Sequence, residues 1–431
     1  MPSSVDTIFA LATAPIAAGV AVVRLSGPDC DDILRKLGVA EALKPRYLSL
    51  QRLTLRDVLL DECLVVRFEK GRSYTGEALA ELQIHGGRAT IEAVLAALSE
   101  VGGRPAEPGE FTRRALENNR MDLVQVEALA DLIDAETEMQ RLQASSLLEG
   151  SLSKDVRGWR DAILECLSLT EASIDFADEE DAPVDISSEV RNLIERLSDE
   201  IAAVLAGGEG AERIREGFTV ALIGPPNVGK SSLINRIANR EVSLVSPFPG
   251  TTRDVMEAHC QVDGLPVSFL DLAGIRDSAD PVEKMGVARA LDCARTADLR
   301  VFLRSGDTPE LGEADLFQNG DLRISTKVDA LPKTEELGVS SVTGEGIDEL
   351  VSRIGSTLLP DRKASRSVAR QRQKENLSLA KSFLDAARSR TEAELLSIEL
   401  REAAKALDML VGEINADDVL DGVFSRFCMG K

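Results

Sequence analysis

Residues 224–232 read GPPNVGKSS, directly after the apolar run FTVALI and directly before LINRIANR, which has helical spacing. This matches the pattern G-x-x-x-x-G-K-[ST] in the strand–loop–helix context that a phosphate-binding loop requires. Gly224 and Gly229 permit the tight backbone that directs N–H groups at phosphate oxygens. Lys230 supplies positive charge at the β- and γ-phosphates, and Ser231 is a candidate Mg²⁺ ligand. The stretch therefore predicts a nucleotide-binding α/β domain.

Four shorter motifs downstream predict that the nucleotide is GTP. PGTTRD places Thr252 in a switch loop as a second Mg²⁺ ligand. FLDLAG places Asp271 at a strand end beside the metal and lets the Gly274 N–H approach the γ-phosphate. In STKVD, Asp329 can accept hydrogen bonds from guanine N1–H and the exocyclic amine. In VSSVTGEG, the Ser341 backbone is predicted to lie against the base. Their order and spacing together, rather than any one motif, support this prediction.

Two departures from the usual GTPase pattern affect the expected chemistry. Thr326 stands where a guanine-specific loop often has Asn, so one amide contact is lost and weaker guanine binding is expected. Ile275 stands where Ras-type enzymes carry a glutamine that orients water. Either hydrolysis is very slow, or another group positions the water. Asn227 and Glu283 are the candidates for that role.

The rest of the chain divides into segments that differ in their predicted secondary structure. Residues 1–118 mix short β-like runs with turns and one helical stretch, which predicts an α+β domain. Residues 119–215 and 361–431 are helical, whereas residues 216–360 alternate strand, loop and helix. Such alternation is typical of a mostly parallel sheet covered by helices. We therefore predict a multidomain α/β plus α protein, with a Ras-like P-loop G domain inserted in a discontinuous helical domain.

Composition narrows the classes of function. The 431 residues carry 50 basic and 73 acidic side chains, a net charge of −23, which argues against a whole-surface nucleic-acid binder. A local basic patch or a partner must then hold any nucleic acid. No apolar run reaches the ~18 residues of a membrane span, and the N-terminus lacks a basic segment before its apolar part. The six scattered cysteines form no CxxC pair, so a reducing cytoplasm is expected.

Several stretches beyond the phosphate loop resemble the MnmE (TrmE) family of tRNA modification GTPases. They include SYTGEALAELQIHGG, RPAEPGEFTRRALENNRMDLVQVEALADLI, DLAGIR and the terminal FCMGK, and the resemblance covers nearly the whole chain. It implies an N-terminal domain that binds a folate and forms a homodimer. It also implies a heterotetramer with the FAD-binding protein MnmG (GidA), which contributes most of the tRNA binding. The pair would install an aminomethyl-type group on carbon 5 of the wobble uridine.

The same resemblance implies a second site in the N-terminal domain. There 5-formyl-tetrahydrofolate is expected to contact Arg24, Glu81, Arg120 and Lys431. An arginine and a carboxylate suit a folate, which is a dianion with a flat pterin ring. The C-terminal peptide of the family lies near this pocket, so Cys428 is predicted to act in the modification reaction. A frayed end with an incidental thiol is the alternative.

The resemblance also implies which groups take the place of the missing water-orienting glutamine. A K⁺ ion near the phosphates, together with Glu283 acting on the attacking water, would replace a glutamine and an arginine finger. The predicted K⁺ ligands are Asn227, Ser246, Phe248 and Thr251, and the predicted Mg²⁺ ligands are Ser231 and Thr252. The predicted GTP-binding residues are Asn227, Val228, Gly229, Lys230, Ser231, Ser232, Ser246, Thr251, Thr252, Asp271, Gly274, Thr326, Lys327, Asp329 and Ser341.

Two other functions fit part of the sequence. A regulatory GTPase switch in ribosome or tRNA handling would need only the G-domain motifs, but the YTGE…HGG block and the cysteine tail argue against it. An ATP-driven P-loop enzyme is disfavoured by Asp329, whose carboxylate suits guanine.

Overall fold

The computed structural model describes residues 6–40, 43–175, 186–240, 256–271, 291–306, 316–330, 336–359, 368, 370–412 and 430. The chain forms two compact units. The first comprises Met1–Ala130, Ser153–Arg160 and Ala404–Lys431, and the second comprises Asp131–Leu152 and Asp161–Ala403. None of the described helices is long and apolar enough to cross a membrane.

The strands and helices are numbered in chain order. The strands are β1 (Ile8–Leu11), β2 (Ala18–Ser26), β3 (Ser49–Leu55), β4 (Val58–Phe68), β5 (Leu79–Gly86), β6 (Arg104–Pro105), β7 (Phe218–Ile223), β8 (Met256–Val262), β9 (Leu265–Asp271), β10 (Leu299–Arg304), β11 (Leu322–Thr326) and β12 (Leu337–Val339). The helices are α1 (Cys30–Lys36), α2 (Arg88–Glu100), α3 (Glu110–Glu117), α4 (Leu123–Asp134), α5 (Glu138–Leu148), α6 (Ser151–Asp175), α7 (Ile186–Ala206), α8 (Gly208–Glu216), α9 (Lys230–Arg240), α10 (Ile347–Leu358), α11 (Gln371–Ser389) and α12 (Ala393–Val411).

The first unit contains a six-stranded sheet in the order β3-β4-β5-β2-β1-β6. Its pairs are antiparallel except β1 with β6, which is parallel. Alternate residues of a strand face opposite sides of a sheet. Ala21, Val23 and Leu25 of β2 accordingly enter the core with α1 and α2. Arg24 lies on the other face, directly opposite Glu81 of β5.

The second unit contains a six-stranded sheet in the order β12-β11-β10-β7-β9-β8. Its first five strands are parallel and β8 is antiparallel at the edge, so the predicted mostly parallel sheet is confirmed. The run FTVALI forms β7 in the interior of this sheet, as a continuous apolar segment should. The carboxyl ends of β7, β9 and β11 lead to the predicted nucleotide motifs, because parallel strands end at one edge.

Helices from both sides of the α/β segment pack together in the second unit. The Ser198 hydroxyl of α7 donates to Asp385 of α11 at 2.6 Å, and Arg388 pairs with Glu195 at 2.5 Å. Helices α7 and α11, which stand on either side of the α/β segment in sequence, are therefore neighbours. The discontinuous helical domain itself stays a prediction. The domain limits at residues 118, 215 and 360 stay predictions, since the compact units divide the chain at other positions.

Candidate functional site

The phosphate loop has the backbone that its glycines predict. Asn227 and Gly229 have φ values of 61° and 106°, in the left-handed region. Glycine adopts this region without strain, whereas asparagine is one of the few other residues that tolerate it. At Gly224, a Cβ atom would lie 2.7 Å from the Leu303 carbonyl oxygen. The loop therefore passes close to β10, and a side chain at this position would displace it.

Lys230 begins α9 and points back into the loop. Its Nζ atom donates to the carbonyl oxygens of Gly224 at 2.8 Å and Pro225 at 3.2 Å, and the residue is only 6% exposed. Burial lowers the pKa of this ammonium group, while Asp271 acts in the opposite direction. A bound phosphate would offset the cost of burying the charge, so the arrangement suits an anionic ligand.

Ser231 and Asp271 meet beside Lys230. The Ser231 hydroxyl donates to Asp271 Oδ2 at 2.5 Å. Asp271 Oδ1 is buried and has no hydrogen-bond partner among the described residues. Buried polar atoms are almost always satisfied. An unsatisfied carboxylate oxygen beside a hydroxyl therefore fits a hard cation such as Mg²⁺, which prefers oxygen ligands.

Thr326 reaches the phosphate loop. Its Oγ1 lies 2.6 Å from the Val228 carbonyl oxygen and 3.0 Å from that of Arg304. A threonine hydroxyl has a single proton, and Thr326 is 5% exposed. The hydroxyl is therefore engaged by the backbone, and it ties the predicted base-binding segment to the phosphate loop.

The other predicted base-side residues lie around Thr326. Lys327 has φ of 59°, Asp329 is exposed, and Ser341 is half-buried. Sequence reasoning missed the neighbouring Ser340, which is buried. Its Oγ accepts hydrogen bonds from the N–H groups of residues 342 and 343 at 3.2 and 3.1 Å. A serine that accepts from the backbone two and three residues ahead shapes a turn. The stretch SSVTG, residues 340–344, was an available indication.

Part of the predicted site lies outside the described residues. The predictions concerned are Ser246, Phe248, Thr251, Thr252, Gly274, Ile275, Glu283, Cys428 and Lys431.

The first unit holds a separate arginine-centred site. Arg24 donates through Nε and Nη2 to Glu81 Oε1 at 3.0 and 2.9 Å, and each side chain is about a fifth exposed. The guanidinium carbon lies 5.2 Å from the centre of the Tyr74 ring and 5.8 Å from that of Phe111. Sequence reasoning missed both aromatic rings as members of this site, although SYTGE and PGEF were quoted for the resemblance. Both distances are within the range in which a cation is attracted to an aromatic ring.

A buried ion network supports the turn that bears Tyr74. Arg114 of α3 is 4% exposed and donates to Asp6 at 2.7 Å, Glu110 at 3.0 Å and Glu77 at 3.2 Å. The pKa of Asp6 is lowered, mainly by its hydrogen bond with Arg104. Burial alone would raise the pKa of Glu110. Hydrogen bonds from Arg104, the Glu107 N–H and Arg114 nevertheless lower this pKa overall.

Arg120 approaches the same turn. A Cβ atom on Gly76 would lie 3.2 Å from Arg120 Cγ, and Gly76 has φ of 80°. Three of the predicted folate-binding residues are among the described residues. Arg24 and Glu81 contact each other directly, and Arg120 lies beside the turn that bears Tyr74.

Gly430 also reaches Arg24. Gly430 is buried, and its carbonyl oxygen lies 3.5 Å from Arg24 Nη1. A Cβ atom on Gly430 would lie 2.2 Å from the Leu11 carbonyl oxygen and 2.4 Å from Ala12 Cα. Only glycine fits against this backbone, so its place depends on having no side chain.

Comparison with known proteins identifies similar chains over the full length. Residues 7–120 match the family model described as the GTP-binding protein TrmE N-terminus, and residues 123–428 match the MnmE helical domain. The tRNA modification GTPase MnmE of Ruegeria pomeroyi is 48% identical over 434 residues, covering 99% of this chain and 100% of that protein. The protein of the same name from Cereibacter sphaeroides is 46% identical over 433 residues, with the same coverage.

Solved structures were also compared. The G domain of the T. maritima FeoB iron transporter is 28% identical, with a TM-score of 0.27, and covers 32% of this chain and 98% of that chain. The score is too low to support a comparison of folds.

Proposed function

The chain belongs to the MnmE (TrmE) family of tRNA modification GTPases, and we propose that its GTP hydrolysis serves the modification of wobble uridines. It is a GTP hydrolase that acts in tRNA modification. The proposed product is a 5-aminomethyl-type, or carboxymethylaminomethyl, group formed with the FAD-dependent protein MnmG. The one-carbon donor is a tetrahydrofolate, and the protein acts in the cytoplasm. The observation that carries the proposal is similarity over 99% of the chain, which includes both candidate sites.

The G-domain geometry supports GTP hydrolysis with two cations. Ser231, with Thr252, would hold Mg²⁺, and the unsatisfied Asp271 oxygen fits the surroundings of that ion. K⁺ would be held by the Asn227 amide oxygen and by the segment from Ser246 to Thr251. When bound, the cations neutralise charge that develops on the phosphates. Lys230 binds phosphate, and Glu283 orients the attacking water.

The Arg24 site supports folate binding. The guanidinium lies within 6 Å of the centres of the Tyr74 and Phe111 rings and beside the Glu81 carboxylate. Arginine suits the folate carboxylates, whereas a carboxylate can accept from pterin N–H groups. Gly430 contributes its carbonyl oxygen, and Cys428 lies two positions earlier in the sequence. Its thiol is proposed to serve the modification and not GTP hydrolysis.

An apolar surface of the N-terminal sheet supports the homodimer. Leu50 of β3 and Leu64 of β4 are directly paired, and they are 62% and 38% exposed. Leu59, paired with Thr54 after the register shift, lies on the same face and is 48% exposed. Contiguous exposed apolar residues on a sheet commonly mark an interface between proteins.

Mass spectrometry of tRNA tests the modification proposal. In a strain lacking this chain, the wobble modification should disappear and return with the wild-type gene. Cys428→Ser should restore GTP turnover but not the modification. Unchanged wobble uridines in the deletion strain would favour a regulatory GTPase instead.

Turnover in KCl and NaCl at equal ionic strength tests the cation proposal, because equal strength removes general screening. We expect faster hydrolysis in KCl, by about 10³-fold if the cation supplies what an arginine finger supplies elsewhere. Asn227→Ala should lose this response. K⁺ is also proposed to order the segment from Ser246 to Thr251, so that the two G domains of a dimer meet. Glu283→Ala should retain this K⁺-dependent pairing yet lose hydrolysis, because Glu283 acts on the attacking water. Equal wild-type rates in the two salts would reject the K⁺ proposal.

A further inference from the structure

The β8–β9 hairpin joins the nucleotide site to a distant point of the second unit. At one end Met256 is paired with Asp271, so β8 begins beside the predicted metal-site carboxylate. At the other end the chain turns through Asp263 and Gly264, with φ values of 51° and 84°. These angles indicate the two-residue Asp-Gly turn favoured in hairpins. Each strand has seven residues, which span about 20 Å at the usual rise.

Helix α5 holds the tip of this hairpin. The Met139 N–H donates to the Gly264 carbonyl oxygen at 3.3 Å. The Met139 side chain is 8% exposed and belongs to the hydrophobic core of the α/β sheet. That core includes Cys260, Val262, Leu265 and Phe269 of the hairpin itself. A side chain from outside the α/β segment is thus built into the core that supports both strands.

A second helix also approaches the tip. A Cβ atom on Gly355 of α10 would lie 2.8 Å from Asp263 Cβ. Helices α5 and α10 therefore both contact the turn of the hairpin. Densely packed contacts of this kind change by discrete steps rather than by gradual deformation.

Helix α5 is itself firmly placed. Thr137 and Gln140 form a capping box at its start. Gln140 Nε2 donates to the Arg215 carbonyl oxygen at 3.2 Å, and Gln143 Nε2 donates to that of Ala211 at 2.9 Å. Both acceptors belong to α8, which leads through Gly217 into β7 and the phosphate loop. Helix α5 therefore contacts the segments that lead into β7 and β9. These are the two strands whose carboxyl ends lie at the predicted nucleotide site.

We infer that Met139 is a positioning residue that couples the nucleotide state at Asp271 to helix α5 through the β8–β9 hairpin. A strand is stiff along its length, so a shift of the Asp271 end that accompanies exchange of GDP for GTP reaches the tip. Met139 passes this shift to α5 because it is a residue of α5 whose N–H and side chain both contact the hairpin. The inference rests on GTP binding by the G domain and not on the folate or the partner.

Hydrogen exchange of the full-length protein tests the coupling. Amides of residues 137–148 would be compared in Mg²⁺-GDP and in a Mg²⁺-bound non-hydrolysable GTP analogue, both in KCl. Coupling of the usual size gives a ratio of exchange rates of about 5-fold or more in the wild type. Met139→Ala should bring that ratio close to one, while Met139→Leu, which conserves volume, should retain it.

Leu299→Ala is the matched control. Leu299 of β10 belongs to the same core and is 1% exposed, and both substitutions remove three heavy atoms. If coupling runs through Met139, Leu299→Ala keeps the nucleotide-dependent ratio even though it loosens the core. An equal loss in both variants would mean general destabilisation and would overturn the inference. So would a wild-type ratio near one, which is measurable even if Met139→Ala fails to fold.

Discussion

The phosphate loop and the Arg24 site are assembled in different ways, although each is suited to an anionic ligand. Gly224, Lys230 and Ser231 come from one short stretch, and their partners lie at the ends of neighbouring parallel strands. Arg24 instead meets Glu81 from another strand and Gly430, which is 406 positions away in sequence. The first site depends on local backbone geometry. The second depends on the chain's two ends being brought together, so changes far from the ligand should affect it more.

The largest expected effect is at the local site. Lys230→Ala removes the buried ammonium group, and GTP turnover should fall by on the order of 10²–10³, as when other preorganised charges are removed. The proposed folate binding by the first unit should not change. Lys381→Ala, which removes a surface lysine paired with Asp385, is the control. Steady-state GTPase assays and folate titration measure both effects, and equal losses at the two sites would contradict their independence.

Arg24→Ala should produce the converse result. Hydrogen bonds to charged groups contribute about 1.5–3 kcal/mol, so folate affinity should fall roughly 10–150-fold while GTP turnover stays normal. Arg35→Ala is the matched control, because Arg35 is an exposed arginine of the same unit. Calorimetric titration with 5-formyl-tetrahydrofolate measures the affinity. Unchanged affinity would remove Arg24 from the site.

A smaller effect is expected from one methyl group. Gly430→Ala forces a Cβ atom into the Leu11–Ala12 backbone, and overpacking of about 1–3 kcal/mol would displace the C-terminal segment. Cys428 should then be alkylated faster, as followed by mass spectrometry of the C-terminal peptide. Gly19→Ala makes the same change on β2, where a Cβ atom meets no atom within 4 Å. Similar alkylation rates in the two variants would show that Gly430 does not anchor the segment.

The smallest expected effect is at Thr326, which links the predicted base-binding segment to the phosphate loop. Thr326→Asn restores the amide that guanine-specific loops often carry, so affinity for GDP should rise by a few fold, the value of about one hydrogen bond. Thr326→Val removes the hydroxyl that donates to Val228 and should weaken binding. Fluorescent-nucleotide titration compares the two. A loss in both variants would indicate that the hydroxyl matters only for local packing.

The same contrast explains what could be predicted from the sequence. The phosphate loop, its flanking strand β7 and the start of α9 at Lys230 follow from local pattern, because glycines and apolar runs act on nearby backbone. The roles of Tyr74, Phe111 and Gly430 could not be derived that way. Their contacts with Arg24 join segments whose meeting depends on the complete fold, and no spacing rule encodes it.

Two features were readable but were missed. VDGL, residues 262–265, is a strong hairpin sequence, and it forms the turn held by α5. Thr137 with Gln140 is a capping pattern that marks the break between α4 and α5. The insertion of Met139 in the sheet core was not readable, because an apolar residue on a helix does not specify which neighbour it packs against.

The ion network around Arg114 gives the first unit a particular response to acid. Asp6 and Glu110 have lowered pKa values in the folded protein, so the unfolded chain binds more protons as the pH falls. The stability that these carboxylates contribute is complete above their unfolded pKa values and is lost as pH falls through the folded ones. Protons therefore act as ligands of the unfolded chain, and their uptake loosens the support under Tyr74.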